Sequence, residues 1–300
     1  MKKPIVLLEY KYNKNIVTEG YNNELLDESL HTFDQQHELA EYIAGFAIEG
    51  VKLNKESCVV DIKRFNLPLK KVVLIIKKEN LINRVSAQIN DIDTDGNAKL
   101  FLNMYIHVRM IVSENEKIVF NETKEAIMHE LGHWYFILTK YNNSGNIDTT
   151  SSNPLYLEIQ DIMKNQNISQ ELYYILYALY AVFGNELNAF VSQCHSEVYN
   201  YLMVQKELTI KSVRKALLKS NIYDTFITNI NNLEHVIELN DYEKENLISE
   251  FNSNTNNKKN NIKDVQKLNK MLKFALERNN EALRFCEQTA VNAYYKLKNK

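Results

Sequence analysis

His129 and His133 stand four residues apart, in the run His129-Glu130-Leu131-Gly132-His133. If that run is helical, the two imidazoles lie one above the other on the same face and can both reach one metal ion. Neutral imidazole nitrogen binds zinc at about 2.0–2.1 Å. Glu130 follows His129 directly and points roughly a quarter-turn away. Its carboxylate can therefore approach a water on the metal without itself being a ligand. Zinc lowers the pKa of such a water to roughly 7, and an adjacent carboxylate takes the proton. The chemistry this spacing suits is attack of an activated water on an amide carbonyl.

The helix expected to carry the run is 122–141, with Asn121 or Thr123 as N-cap. Ile127, Leu131, Trp134 and Leu138 recur at offsets of four, three and four. Such a stripe packs on a core and leaves the histidines facing a cleft. Gly132 sits inside the same helix, where glycine costs about 1 kcal/mol relative to alanine. A glycine there suits close approach by another chain segment or by a substrate.

A catalytic zinc site takes three protein ligands and leaves a fourth position for water. Downstream stands Asn185-Glu186-Leu187-Asn188-Ala189. With the HELGH run, this segment resembles the gluzincin class of zinc metallopeptidases. The resemblance implies that Glu186, opening a helix, is the third ligand beside His129 and His133. It also implies that Glu130 is the general base of peptide-bond hydrolysis, and that the substrate is a peptide or protein. Ala189, one turn on, is small enough to let two helices approach. The chain departs from the thermolysin-like pattern at Phe190, where that pattern has an aspartate. Glu158, with Asp161 nearby, and His195 stay open as rival ligands. The metzincin pattern, which needs glycine and histidine three and six residues past the second histidine, is absent; those positions are Phe136 and Thr139. HELGH followed by E-x-x-A-F also resembles small peptidases of prophages and proteins of large tailed phages. A reading from another class is a non-catalytic structural or interaction protein, such as a phage particle component, with a structural or relic zinc. A fourth protein ligand, from His195 or Glu158, would mark it.

The elements that must position these residues are legible in outline. Residues 4–12 read as a strand and 34–50 as a helix. CVVDIKRF (58–65), KVVLIIKK (71–78) and KLFLNMYIHVRMIV (99–112) are rich in β-branched and aromatic residues and read as strands. Residues 101–110 are the candidate edge along which a peptide could pair, or equally a central core strand. DIDTDGN at 91–97 starts like a calcium loop, but its twelfth position is Leu102 instead of glutamate, so a hairpin turn is expected. Helices follow at 155–165, 169–183 and 185–208, with two more up to residue 251. Tyr173, Tyr174, Tyr177 and His195 are candidate donors to a developing oxyanion. The expected fold class is α+β: a sheet-rich part at 1–120 packed on the active-site helix, then a helical part at 121–251. A polar linker at 252–261 and an amphipathic C-terminal helix at 262–300 complete the chain; that helix could serve self-association or a partner.

Composition narrows the function classes. There are 36 Lys+Arg against 38 Asp+Glu, so charge gives no argument for nucleic acid or an acidic membrane. Cys58, Cys194 and Cys286 are far apart and odd in number, which suits a reducing compartment better than a disulfide scaffold. The apolar stretch after Lys2 and Lys3 is broken by Glu9 and Lys11, too early for a signal peptide. No run reaches the ~20 apolar residues of a membrane span. A cytoplasmic or virion-associated protein is expected.

Overall fold

The computed structural model describes residues 23–65, 69–78, 86–94, 102–110, 116–144, 154–164 and 167–299. Among them are nine α-helices, α1 (Asn23–Lys52), α2 (Glu116–Ser144), α3 (Pro154–Met163), α4 (Gln170–Tyr180), α5 (Gly184–Met203), α6 (Ile210–Lys219), α7 (Asn221–Glu238), α8 (Asp241–Asn254) and α9 (Val265–Lys298). Four strands, β1 (Ser57–Val60), β2 (Leu69–Lys78), β3 (Ser86–Thr94) and β4 (Leu102–Met110), form one sheet in the order β1-β2-β4-β3. The strand expected at 4–12 lies outside the described residues.

The molecule is mostly helical, and this overturns the expected α+β class with its sheet-rich front. The described front opens with a 30-residue helix. Residues 58–65 are extended only to Val60 and then tighten into a 3₁₀ turn at Lys63–Phe65. The physical reason is visible in the composition: with 7 Gly and 3 Pro in 300 residues, little interrupts helical periodicity. The helix that packs on the sheet is α1, which meets β1 and β2. At their contact a Cβ added to Gly50 would lie 2.2 Å from Ile76 Cδ1, so a larger residue there would require the Ile76 side chain to turn aside.

β4 lies between β2, which it pairs in parallel, and β3, which it pairs antiparallel. Its backbone groups are used on both sides, so among the described residues Leu102–Met110 is a central strand, the second of the two readings, and not an edge. Asp91–Thr94 belong to β3, with Asp91 opposite Tyr105 and Asp93 opposite Asn103. Those residues form a ladder with β4; the rest of the 91–97 run, 95–97, lies outside the described residues.

The chain divides into two compact units. One holds the described residues up to Leu131, His195–Leu217 and those from Thr289. Its buried apolar residues include Leu39, Ile43 and Ala47 of α1 and Val72 and Leu74 of β2. The other unit holds Gly132–Cys194 and Leu218–Gln288. Its core is built from α3, α4, α7, α8 and α9, through residues such as Ile159, Leu176, Leu233, Phe251 and Leu272. No helix among the described residues is long and apolar enough to cross a membrane.

Candidate metal centre

Helix α2 runs unbroken from Glu116 to Ser144, so its first turn lies well before the expected N-cap. Asn121 and Thr123 are interior, and the buried Thr123 hydroxyl donates to the Val119 carbonyl at 2.6 Å. Within this helix one ligand atom from each of His129, Glu130 and His133 lies within 4.8 Å of the others. The four-residue spacing on an α-helix is the cause.

Glu186 sits in the first turn of α5. An anion there is favoured by the positive end of the helix dipole. The side chain is buried, with 3% of the residue exposed, and its Oε2 stands 3.6 Å from His133 Nε2. Two atoms bound to one tetrahedral zinc at ~2.0–2.1 Å are about 3.3–3.4 Å apart. The spacing between His133 and Glu186 is close to that figure. Nitrogen and carboxylate donors are also the zinc type. These side chains are of the kind that could hold a metal ion.

Close helix packing makes the approach of His133 and Glu186 feasible. A Cβ built on Gly132 would lie 2.8 Å from Ala189 Cα, 2.9 Å from Ser192 Oγ and 3.2 Å from the Asn188 carbonyl oxygen. The absent side chain of Gly132 and the small one of Ala189 bring α2 and α5 into contact.

Tyrosines of two further helices meet Glu186. The Tyr156 hydroxyl, on α3, donates to Glu186 Oε1 at 2.5 Å and accepts from Gln160 Nε2 at 2.9 Å. The Tyr180 hydroxyl, at the end of α4, lies close enough to Glu186 for that carboxylate to raise its pKa. Burial first, then the neighbouring Glu186 carboxylate, push both phenols far above their usual range, so both stay protonated. The Tyr156 and Tyr180 rings stack at 5.6 Å, and Tyr156 meets Phe183 edge-on at the same distance. Sequence reading does not find Tyr156 among 18 tyrosines. The pairing Tyr156-x-x-x-Gln160 on a helix is a local signal, but its target lies 30 residues away.

The rival ligands are engaged elsewhere. Glu158 Oε1 accepts from the backbone amides of Asn256 and, at 3.1 Å, of Asn257, while its Oε2 accepts from Asn260 Nδ2 at 2.8 Å. Those three bonds hold down the segment read as a linker. Asp161 pairs with exposed Lys164 at 3.2 Å. His195 is buried and lies against the Tyr199 ring at 6.0 Å. Of the tyrosines considered as oxyanion donors, Tyr173 is largely exposed and stacks on Tyr177, and Tyr174 accepts from Gln170. Tyr177 lies close enough to Glu186 for that charge to raise its pKa, after burial and Tyr173.

Compared with known protein families, with curated proteins and with solved structures, the chain matches none.

Proposed function

We propose that this chain is a zinc-dependent peptide-bond hydrolase, with His129, His133 and Glu186 as ligands and Glu130 as general base. One observation carries the proposal. Donor atoms of His129, Glu130 and His133 gather within 4.8 Å, while the Glu186 carboxylate stands 3.6 Å from His133. When bound, zinc supplies Lewis acidity to a water and to the scissile carbonyl. The buried Glu130 carboxylate accepts a proton from the attacking water and returns it to the departing amine. His129 and His133 contribute neutral nitrogen and Glu186 one negative charge, which leaves a position open to water. Glu158, the residue that could have closed the sphere from α3, is bonded to the 256–260 segment. That favours an open site over a structural staple.

The test is metal analysis together with cleavage of a quenched peptide library. Glu130→Gln is expected to retain about one zinc per chain and to lose at least 10²-fold in rate, the usual scale for a general base. His129→Ala is expected to lose both metal and cleavage. Undiminished cleavage by Glu130→Gln would sink the mechanism.

A further inference from the structure

We propose that Tyr156 is a positioning residue for the metal, holding the Glu186 carboxylate so that one oxygen alone is presented to the ion. The inference rests on the zinc reading above and adds a residue to it. Glu186 has two carboxylate oxygens with different surroundings. Oε1 accepts from the Tyr156 hydroxyl at 2.5 Å, and Oε2 stands toward His133 Nε2 at 3.6 Å. A carboxylate tied at one oxygen cannot turn freely, so the other oxygen is fixed in direction. A phenol at this distance from a carboxylate makes a short, charge-assisted bond. Gln160 donates to the same phenol oxygen, and accepting that bond strengthens the one the phenol gives. The rings of Tyr180 and Phe183 set the tilt of the Tyr156 ring.

The hydrogen on Tyr156 is committed to Glu186, so Tyr156 is not a donor to substrate. Its effect is on metal affinity. Groups that orient a metal ligand typically contribute 10- to 100-fold in affinity.

The experiment measures zinc dissociation constants of the purified full chain by competition with a chromophoric chelator, and visible spectra after cobalt substitution. Tyr156→Phe keeps the ring and its stacking and removes only the hydroxyl. It is expected to bind zinc about 10- to 100-fold more weakly, with an altered cobalt spectrum and an unchanged circular dichroism spectrum. Wild-type affinity and spectrum in Tyr156→Phe would overturn this role and leave the hydrolase proposal standing. A wild-type chain that binds no zinc would overturn both. Should Tyr156→Phe fail to fold, Gln160→Met probes the same relay from its far end. A weakening of threefold or more supports the proposal, and unchanged affinity overturns it.

Discussion

Individual titrating side chains give this molecule opposed pH responses. Burial lowers the His195 pKa from 6.5 to about 4, partly offset by the nearby Thr289 backbone. Between those values the unfolded chain takes up a proton that the folded chain refuses. Stability therefore falls as pH drops from 6.5 towards 4, by up to about 3 kcal/mol from this residue alone. Glu125 acts in the other direction. Burial, then Glu197 and Glu122, raise its pKa to about 8, with Lys124 and Asn200 opposing. The folded chain keeps a proton that the unfolded chain releases near 4.5, so this residue's contribution shrinks as pH rises from 4.5 through 8. Urea midpoints isolate the two. From pH 6.5 to 8 the folded His195 stays neutral while the folded Glu125 begins to ionise, and Glu125→Gln is expected to flatten the decline. On the acid side His195→Gln is expected to reduce the loss between pH 6.5 and 4. If neither variant changed its slope, the buried environments assigned to these groups would be wrong.

At the scale of elements, the decisive contact is that of α2 with α5. In an isolated helix Gly132→Ala would stabilise by about 1 kcal/mol. Here the added Cβ would sit 2.8 Å from the Ala189 backbone, which cannot swing aside as a flexible side chain can. The sign is expected to reverse, with a loss of about 1–3 kcal/mol from overpacking. A shift of α5 would also move Glu186 relative to His133, so weaker zinc binding should accompany the loss. Equal or higher thermal stability of Gly132→Ala would contradict the packing. The sheet shows how pairing overrides local preference. DIDT at 91–94 has turn-like composition, yet it forms the end of β3 because β4 offers it a ladder.

Across the molecule, buried polar groups tie helices remote in sequence. Asn279 of α9 is wholly buried and donates to the carbonyls of Ala178 at 3.0 Å and Ala275 at 2.8 Å. Its Oδ1 accepts from Asn229 of α7 at 3.0 Å. Replacing Asn279 by alanine would strand the Asn229 amide and the Ala178 carbonyl and open a small void. A loss of about 2–4 kcal/mol in chemical denaturation is expected, whereas a change below 0.5 kcal/mol, roughly the level of a surface substitution, would refute this account. Glu158 plays a comparable part, capping the 256–260 segment from α3.

Local spacing was readable without coordinates, because a helix advances 1.5 Å and about 100° per residue wherever it occurs. Hence the shared face of His129 and His133, the apolar stripe through Ile127, Leu131 and Trp134, and the need for a small residue at 132 all follow from the order of residues in one segment. What the order could not show is which distant groups meet. The tertiary structure placed the Glu186 oxygen near His133, brought Tyr156 and Tyr180 to the same carboxylate, and sent Glu158 to a loop 98 residues away. It also decided that β4 is flanked on both sides and that helices dominate. The reason is physical: helical periodicity is set by the backbone within a few residues, whereas strand pairing and carboxylate partnership are set by packing among segments that have no fixed spacing along the chain.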